Sequence, residues 1–167
     1  MKHLLFFLLI GFSGSAQHIT STYIDEFTKQ NIIQVNASKT PKWKGSDNIT
    51  KGLFNYVFLS LKKIDSTKIL QLDIQTGFNL CINNNDDKII LLLNNENTIE
   101  LKQAAKLDCA NRVLAKYIIS DEEIKTLSIN PIKKFRIYTY DGYIDFEVKE
   151  DKKDIIKNSF SLFNSKI

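Results

Sequence analysis

Residues 133–149 read Lys-Lys-Phe-Arg-Ile-Tyr-Thr-Tyr-Asp-Gly-Tyr-Ile-Asp-Phe-Glu-Val-Lys, two alternating runs on either side of Asp141-Gly142. Asp-Gly between alternating runs signals a two-residue type I′ hairpin, because both central residues of that turn take positive φ. Such a loop sets Tyr140 opposite Tyr143, Ile137 opposite Phe146, Arg136 opposite Glu147 and Phe135 opposite Val148. Phe135, Ile137, Thr139, Ile144, Phe146 and Val148 then share one mostly apolar face. Arg136, Tyr138, Tyr140, Tyr143, Asp145 and Glu147 share the other. A slip of one residue would mix the two sets. The stretch therefore predicts an antiparallel hairpin with one face in the core and one in water.

The rest of the chain supplies the sheet for this hairpin to join. Strands are expected at Asn31–Val35, Leu53–Ile64, Lys68–Ile74, Phe78–Ile82, Ile89–Leu93 and Thr98–Lys102. Turns are expected at Asp25–Thr28, Asp65–Thr67, Asn83–Asp87 and Asn94–Asn97, where Asn and Asp side chains stabilise local reversals. Gly77 is read as a bend between two strands, and the uninterrupted apolar run Ile89–Leu93 as a strand buried on both faces. Asn36–Gly52 is read as a long loop. Residues 103–117 stay open between helix, favoured by Ala104, Ala105, Ala110 and Ala115, and a strand over Val113–Ile119. Ser120 with Glu123 forms a capping box for a short helix to about Leu127. A last helix, capped by Asp151 or Asp154, carries Ile156, Phe160 and Phe163 on one stripe toward the sheet. The fold class is α+β and β-dominated: an antiparallel meander, flat or curled into a sandwich or half-barrel, with a short helix and a C-terminal helix.

Two features speak to where the chain works. Lys2 and His3 precede the apolar run Leu4–Phe12, and Gly14-Ser15-Ala16 offers small residues for cleavage after Ala16. This is the pattern of a secretory signal peptide over residues 1–16, too short for a membrane span, ahead of one β-rich domain over residues 17–167. No second long apolar run follows, so no transmembrane segment is expected after cleavage. The expected location is exported, in a periplasm or secreted. Cys81 and Cys109 are the two cysteines, and an oxidising compartment lets them pair. Cys81 alternates with Asn79 and Asn83 rather than with Phe78, Leu80 and Ile82, so it faces the polar side of its strand. The pair would close a loop of about 29 residues, worth roughly 3–4 kcal/mol in the chain-entropy model.

Chemistry-bearing motifs are sparse. His18 is the one histidine beyond the leader, which removes most histidine-based acid–base and triad mechanisms. Two cysteines cannot build a Cys₄ zinc cluster. Cleavage after Ser15 would place His18 third in the mature chain, where it could chelate Cu(II); the favoured cleavage does not. No phosphate-binding glycine loop, dinucleotide fingerprint or Gly-x-Ser-x-Gly is present, so no cofactor and no metal are expected. Asp86-Asp87 lacks calcium-loop spacing, and Asp121-Glu122-Glu123 suits a helix N-terminus without any further role. Asn36-Ala37-Ser38 and Asn48-Ile49-Thr50 match the glycosylation acceptor pattern and are read as chance matches. The lysines are scattered, and Arg112 and Arg136 are the two arginines, which argues against a nucleic-acid partner.

Two surfaces remain as candidate partner sites. Trp43 stands among lysines in Lys39-Thr40-Pro41-Lys42-Trp43-Lys44-Gly45, and either contacts a glycan or anionic polymer or folds back as a core anchor. Arg136, Tyr138, Tyr140 and Tyr143 share the wet hairpin face, and are either a partner surface or ordinary cross-strand pairs.

Asp25-Glu26-Phe27-Thr28-Lys29, Tyr117-Ile-Ile-Ser-Asp-Glu-Glu-Ile124 and Phe135-Arg-Ile-Tyr-Thr-Tyr-Asp-Gly-Tyr-Ile144, with a leader ending Ser-Ala-Gln, resemble small uncharacterised exported proteins common in Bacteroidetes. The resemblance implies export and a shared fold, and carries over no catalytic residue. The leading expectation is a non-catalytic envelope protein that binds a protein or glycan partner. A small hydrolase using Asp and Glu, and an inhibitor or immunity-type protein, stand as alternatives.

Overall fold

A computed structural model describes residues 20–37, 40–41, 54–82, 88–104, 108–140 and 142–167. Among these residues, ten strands and two helices follow in chain order. These are β1 (Thr20–Ile24), β2 (Asn31–Asn36), β3 (Thr40–Pro41), β4 (Phe54–Ile64), β5 (Thr67–Ile82), β6 (Lys88–Leu93), β7 (Thr98–Lys102), β8 (Asp108–Ile118), α1 (Asp121–Ile129), β9 (Ile132–Thr139), β10 (Gly142–Glu147) and α2 (Glu150–Asn164). Among the described residues the protein is β-dominated, with two antiparallel sheets that do not close into a barrel. The first sheet runs β1-β2-β4-β5-β8, with β3 paired to β4; the second runs β10-β9-β6-β7. The chain meanders through β1 to β5, crosses to the second sheet for the β6–β7 hairpin, and returns as β8 beside β5. It then crosses again for the β9–β10 hairpin.

Alternation puts one face of each sheet into a shared core. Val35, Leu61, Leu70, Leu72, Ile74, Ala115 and Tyr117 come from the first sheet, and Ile89, Leu91, Leu101, Phe135, Ile137 and Phe146 from the second. Ile156, Phe160 and Phe163 of α2, with Ile124 and Leu127 of α1, complete it. The apolar stripe of α2 expected from spacing is therefore the buried one. The capping box of α1 is formed: Ser120 Oγ accepts from the Glu123 N–H at 3.3 Å, and Glu123 Oε2 accepts from the Ser120 N–H at 2.7 Å. The N-cap of α2 is Lys149 with no side-chain cap, so neither Asp151 nor Asp154 caps it. Lys68 reaches Asp121 at 2.8 Å, which gives part of the acidic helix start a structural role.

Several boundaries differ from the sequence expectation. Residues 108–118 are strand throughout, because pairing with β5 overrides the helix preference of Ala110 and Ala115. Gly77 does not end a strand. β5 runs through it, and the register against β8 shifts between Gln75 and Leu80, so Gly77 falls in a bulge. Residues 40–41 pair with Val57 and Tyr56 inside the span read as loop, and residues 42–53 lie outside the described residues. β1 was not anticipated; it pairs antiparallel with β2 around a turn in which Asp25 Oδ1 accepts from the N–H groups of Phe27 at 3.0 Å and Thr28 at 2.7 Å. The leader, the Asn83–Asp87 turn with Asp86 and Asp87, Trp43 and His18 also lie outside the described residues.

The hairpin itself keeps its faces and changes its register. Thr139 pairs with Gly142, Tyr138 with Tyr143, Ile137 with Ile144, Arg136 with Asp145 and Phe135 with Phe146. Each β10 residue thus sits opposite a partner two positions earlier than the Asp-Gly turn implied. A shift of two preserves side-chain parity, which is why the apolar and polar sets survive intact. Gly142 is not a central turn residue but the first residue of β10, at φ +132°. An added Cβ there meets no atom within 4 Å, so the constraint is backbone conformation alone. Gly142→Ala and Gly142→Val are each expected to lose about 1–2 kcal/mol of stability, measured by urea unfolding. Retention of the wild-type midpoint by Gly142→Ala would contradict the positive φ.

Candidate functional site

Neither described helix lies over the outer face of the second sheet, and its side chains form one connected network. From the edge inward, β7 supplies Glu100, β6 supplies Lys88, β9 supplies Tyr138, Arg136 and Lys134, and β10 supplies Tyr143 and Asp145. Lys88 Nζ meets Glu100 Oε2 at 2.8 Å and stands 5.4 Å from the Tyr138 ring centroid. The rings of Tyr138 and Tyr143 lie 6.1 Å apart, tilted by 50°. The Arg136 guanidinium covers the Tyr143 ring at 4.1 Å, a cation–π distance. Arg136 also grips Asp145 with two bonds, Nε to Oδ1 at 2.7 Å and Nη2 to Oδ2 at 2.9 Å, and Lys134 adds a third contact at 3.1 Å. Interactions of this paired geometry are the strong kind, and they fix side-chain orientation before any partner arrives.

Asp145 is buried although it lies on the outer face, because its cationic and aromatic neighbours close over it. The Arg136 hydrogen bonds hold its carboxyl below the usual range against the opposing effect of burial, with Lys134 assisting. The same pair raises the Arg136 guanidinium, and the hydrogen bond to Glu100 raises Lys88. Asp145 is thus an anion held in place by two cations.

Because its folded pKa lies below the unfolded value near about 3.9, the Asp145 contribution is complete above that value and disappears as pH falls through the folded pKa. Asp145→Asn is expected to cost about 1.5–3 kcal/mol at neutral pH. The gap to wild type should narrow as pH falls below the unfolded value and through the lowered folded one, read from urea midpoints along a pH series. A gap independent of pH would contradict the ion-pair assignment.

Beside this network lies an open depression of about 340 Å3, lined by Ile90, Leu92, Thr98, Lys134, Arg136 and Asp145. Ile90 and Leu92 were not anticipated as site residues. The run Ile89–Leu93 is buried on one face only; Ile89, Leu91 and Leu93 enter the core, and Ile90 and Leu92 stay half-buried on the outer face. The unbroken apolar run was the available signal, since a strand with one wet face normally alternates.

Among the expected site residues, Arg136, Tyr138 and Tyr143 are brought together here. Tyr140 sits in the turn at the end of β9, 73 % exposed, with its N–H donating to the Cys81 carbonyl at 3.1 Å. Trp43 lies outside the described residues. Cys81 and Cys109 form a disulfide across β5 and β8, where they are direct register partners with Cα atoms 4.1 Å apart. Among the described residues, no three His, Cys, Asp or Glu side chains gather as a metal site, and no helix is long and apolar enough to cross a membrane. No family model matches the chain, and neither the curated proteins nor the solved structures contain a match to it.

Proposed function

We propose that the protein is a non-catalytic, exported binding module that engages a protein partner through the outer face of β10-β9-β6-β7. The observation that carries this reading is the half-buried pair Ile90 and Leu92 in a depression bordered by a cross-braced Tyr138–Tyr143–Arg136–Asp145 network. Apolar side chains at the centre, with Tyr and Arg anchors and a polar rim, are the make-up of a protein interface. The ion pairs lower the ordering cost of binding, because these long side chains are already immobilised.

A protein partner fits better than a glycan. Sugar rings stack on open, flat aromatic faces, whereas Arg136 already covers one face of Tyr143 and the two tyrosine rings are tilted. A hydrolytic role has less support, because the one carboxylate lining the depression is bound by two cations. Export rests on the leader-like start of the chain, and the cross-strand disulfide agrees with an oxidising compartment.

The test is capture from a cell-envelope extract with the wild-type protein, a folded Tyr138→Ala/Tyr143→Ala variant and a folded Leu114→Ala/Ile118→Ala variant. Leu114 and Ile118 are exposed on the first sheet and serve as the control surface. A discrete partner lost only by the tyrosine variant is expected. No partner, or one indifferent to the tyrosines, would contradict the assignment.

A further inference from the structure

The strand registers set the outer face of the second sheet as a grid. One row runs Glu100, Ile90, Arg136, Asp145 across β7, β6, β9 and β10. The row beside it runs Thr98, Leu92, Lys134, Glu147. Ile90 and Leu92 are thus same-face neighbours on β6, about 7 Å apart along the strand, with a different wall on each side. The β9 wall is cationic, built from Lys134 and Arg136. The β7 wall holds Thr98 and Glu100, and Glu100 is tied to Lys88 at 2.8 Å.

On the cationic side, Arg136 and Lys134 converge on one carboxylate. Arg136 holds Asp145 through two bonds and covers the Tyr143 ring, so its guanidinium is committed. Lys134 is the register partner of Glu147, yet its ammonium meets Asp145 Oδ2 at 3.1 Å. That oxygen also accepts from Arg136 Nη2 at 2.9 Å. Lys134 therefore leans toward the row of Ile90 and lines the depression with Ile90 and Leu92. An ammonium carries three donors and no fixed plane. Lys134 can turn a further N–H toward an incoming carboxylate and keep Asp145. Its side chain is 30 % exposed, which puts it within reach from solvent.

The charged residues lining the depression are two cations and one anion. A carboxylate arriving on the β9 side is attracted by that excess, and a cation arriving there is repelled. On the β7 side a carboxylate would face Glu100, so the two walls also fix the direction of approach.

Building on the docking face proposed above, we infer that the partner presents an acidic and apolar segment to this depression. An aliphatic side chain sits on Ile90 and Leu92, and an Asp or Glu beside it accepts from Lys134 Nζ.

The probes are the end-blocked peptide acetyl-Thr-Leu-Thr-Glu-Thr-amide and two copies of it with Gln or Lys in place of Glu. Residues two apart share a face of an extended chain. Each peptide is titrated into the protein and followed by amide NMR. Saturable shifts are expected at the amides of Ile90, Leu92, Thr98 and Lys134. The Glu peptide should bind about two- to fivefold tighter than the Gln peptide, the range of a partly exposed ion pair, and the Lys peptide more weakly than either. Added salt should erase the preference for Glu over Gln. Lys134→Gln should bring the two constants together and leave the Gln peptide unchanged, whereas Leu92→Ser should weaken all three peptides alike. If Lys134→Gln fails to fold, the salt series on the wild type decides. No saturable shift, no preference for Glu, or a preference that survives high salt or Lys134→Gln would each overturn the inference. Saturable binding at these amides without a Glu preference would do so and leave the docking face standing. Failure of the docking face itself is read separately, in the envelope capture with Tyr138→Ala/Tyr143→Ala.

Discussion

Replacing both Cys81 and Cys109 by alanine is expected to lower the unfolding free energy by about 3–4 kcal/mol. The two residues are 28 apart in sequence and face each other across β5 and β8. Their link closes a loop that contains the whole β6–β7 hairpin and therefore ties the first sheet to the excursion into the second. Without it, the unfolded chain gains the freedom of that loop. The loss is a large share of the total for a domain held by about 5–15 kcal/mol. Urea unfolding of the double variant beside the oxidised wild type measures it. The reduced wild-type protein should match the variant. Equal midpoints for oxidised and reduced protein would contradict the assigned pairing.

Phe160→Ala is expected to cost about 3–5 kcal/mol. Phe160 is fully buried on the stripe of α2 that also carries Ile156 and Phe163. This helix packs against α1 and approaches both β4 and β9, so it bridges the two sheets. Truncation removes a large apolar side chain where three elements meet, and a rigid surround cannot close the space. The midpoint of urea unfolding should fall with little change in its slope. Leu162→Ala, on the half-buried flank of the same helix, should cost clearly less. Equal costs at the two positions would mean that α2 is not seated on the core as described.

The elements legible in the sequence were those with local causes. The α1 capping box lies within four residues and formed as spelled. The hairpin faces followed from alternation, and the polar parity of Cys81 made a disulfide expected, whereas the register that sets it opposite Cys109 depends on β8 and was not legible. The register failed because a shift of two residues leaves every side chain on its face, so alternation cannot discriminate between the two pairings. The observed pairing sets Arg136 opposite Asp145, which permits the two-bond contact between them. Asp145 and Lys134 were missed for the same reason, since the expected register paired Arg136 with Glu147. The strand identity of residues 108–118 depends on β5, distant in sequence, and could not be read from alanines. Ile90 and Leu92 were read as interior because an apolar run does not say which of its faces is covered.

On the proposed function, a partner protein docks on the outer face of the second sheet. A photo-cross-linking amino acid in place of Glu147, exposed on β10 beside the network, tests it in living cells, with the same replacement of Leu114 on the first sheet as control. An adduct of discrete size is expected from position 147 and none of that size from position 114. No adduct from 147, or the same adduct from both positions, would contradict it.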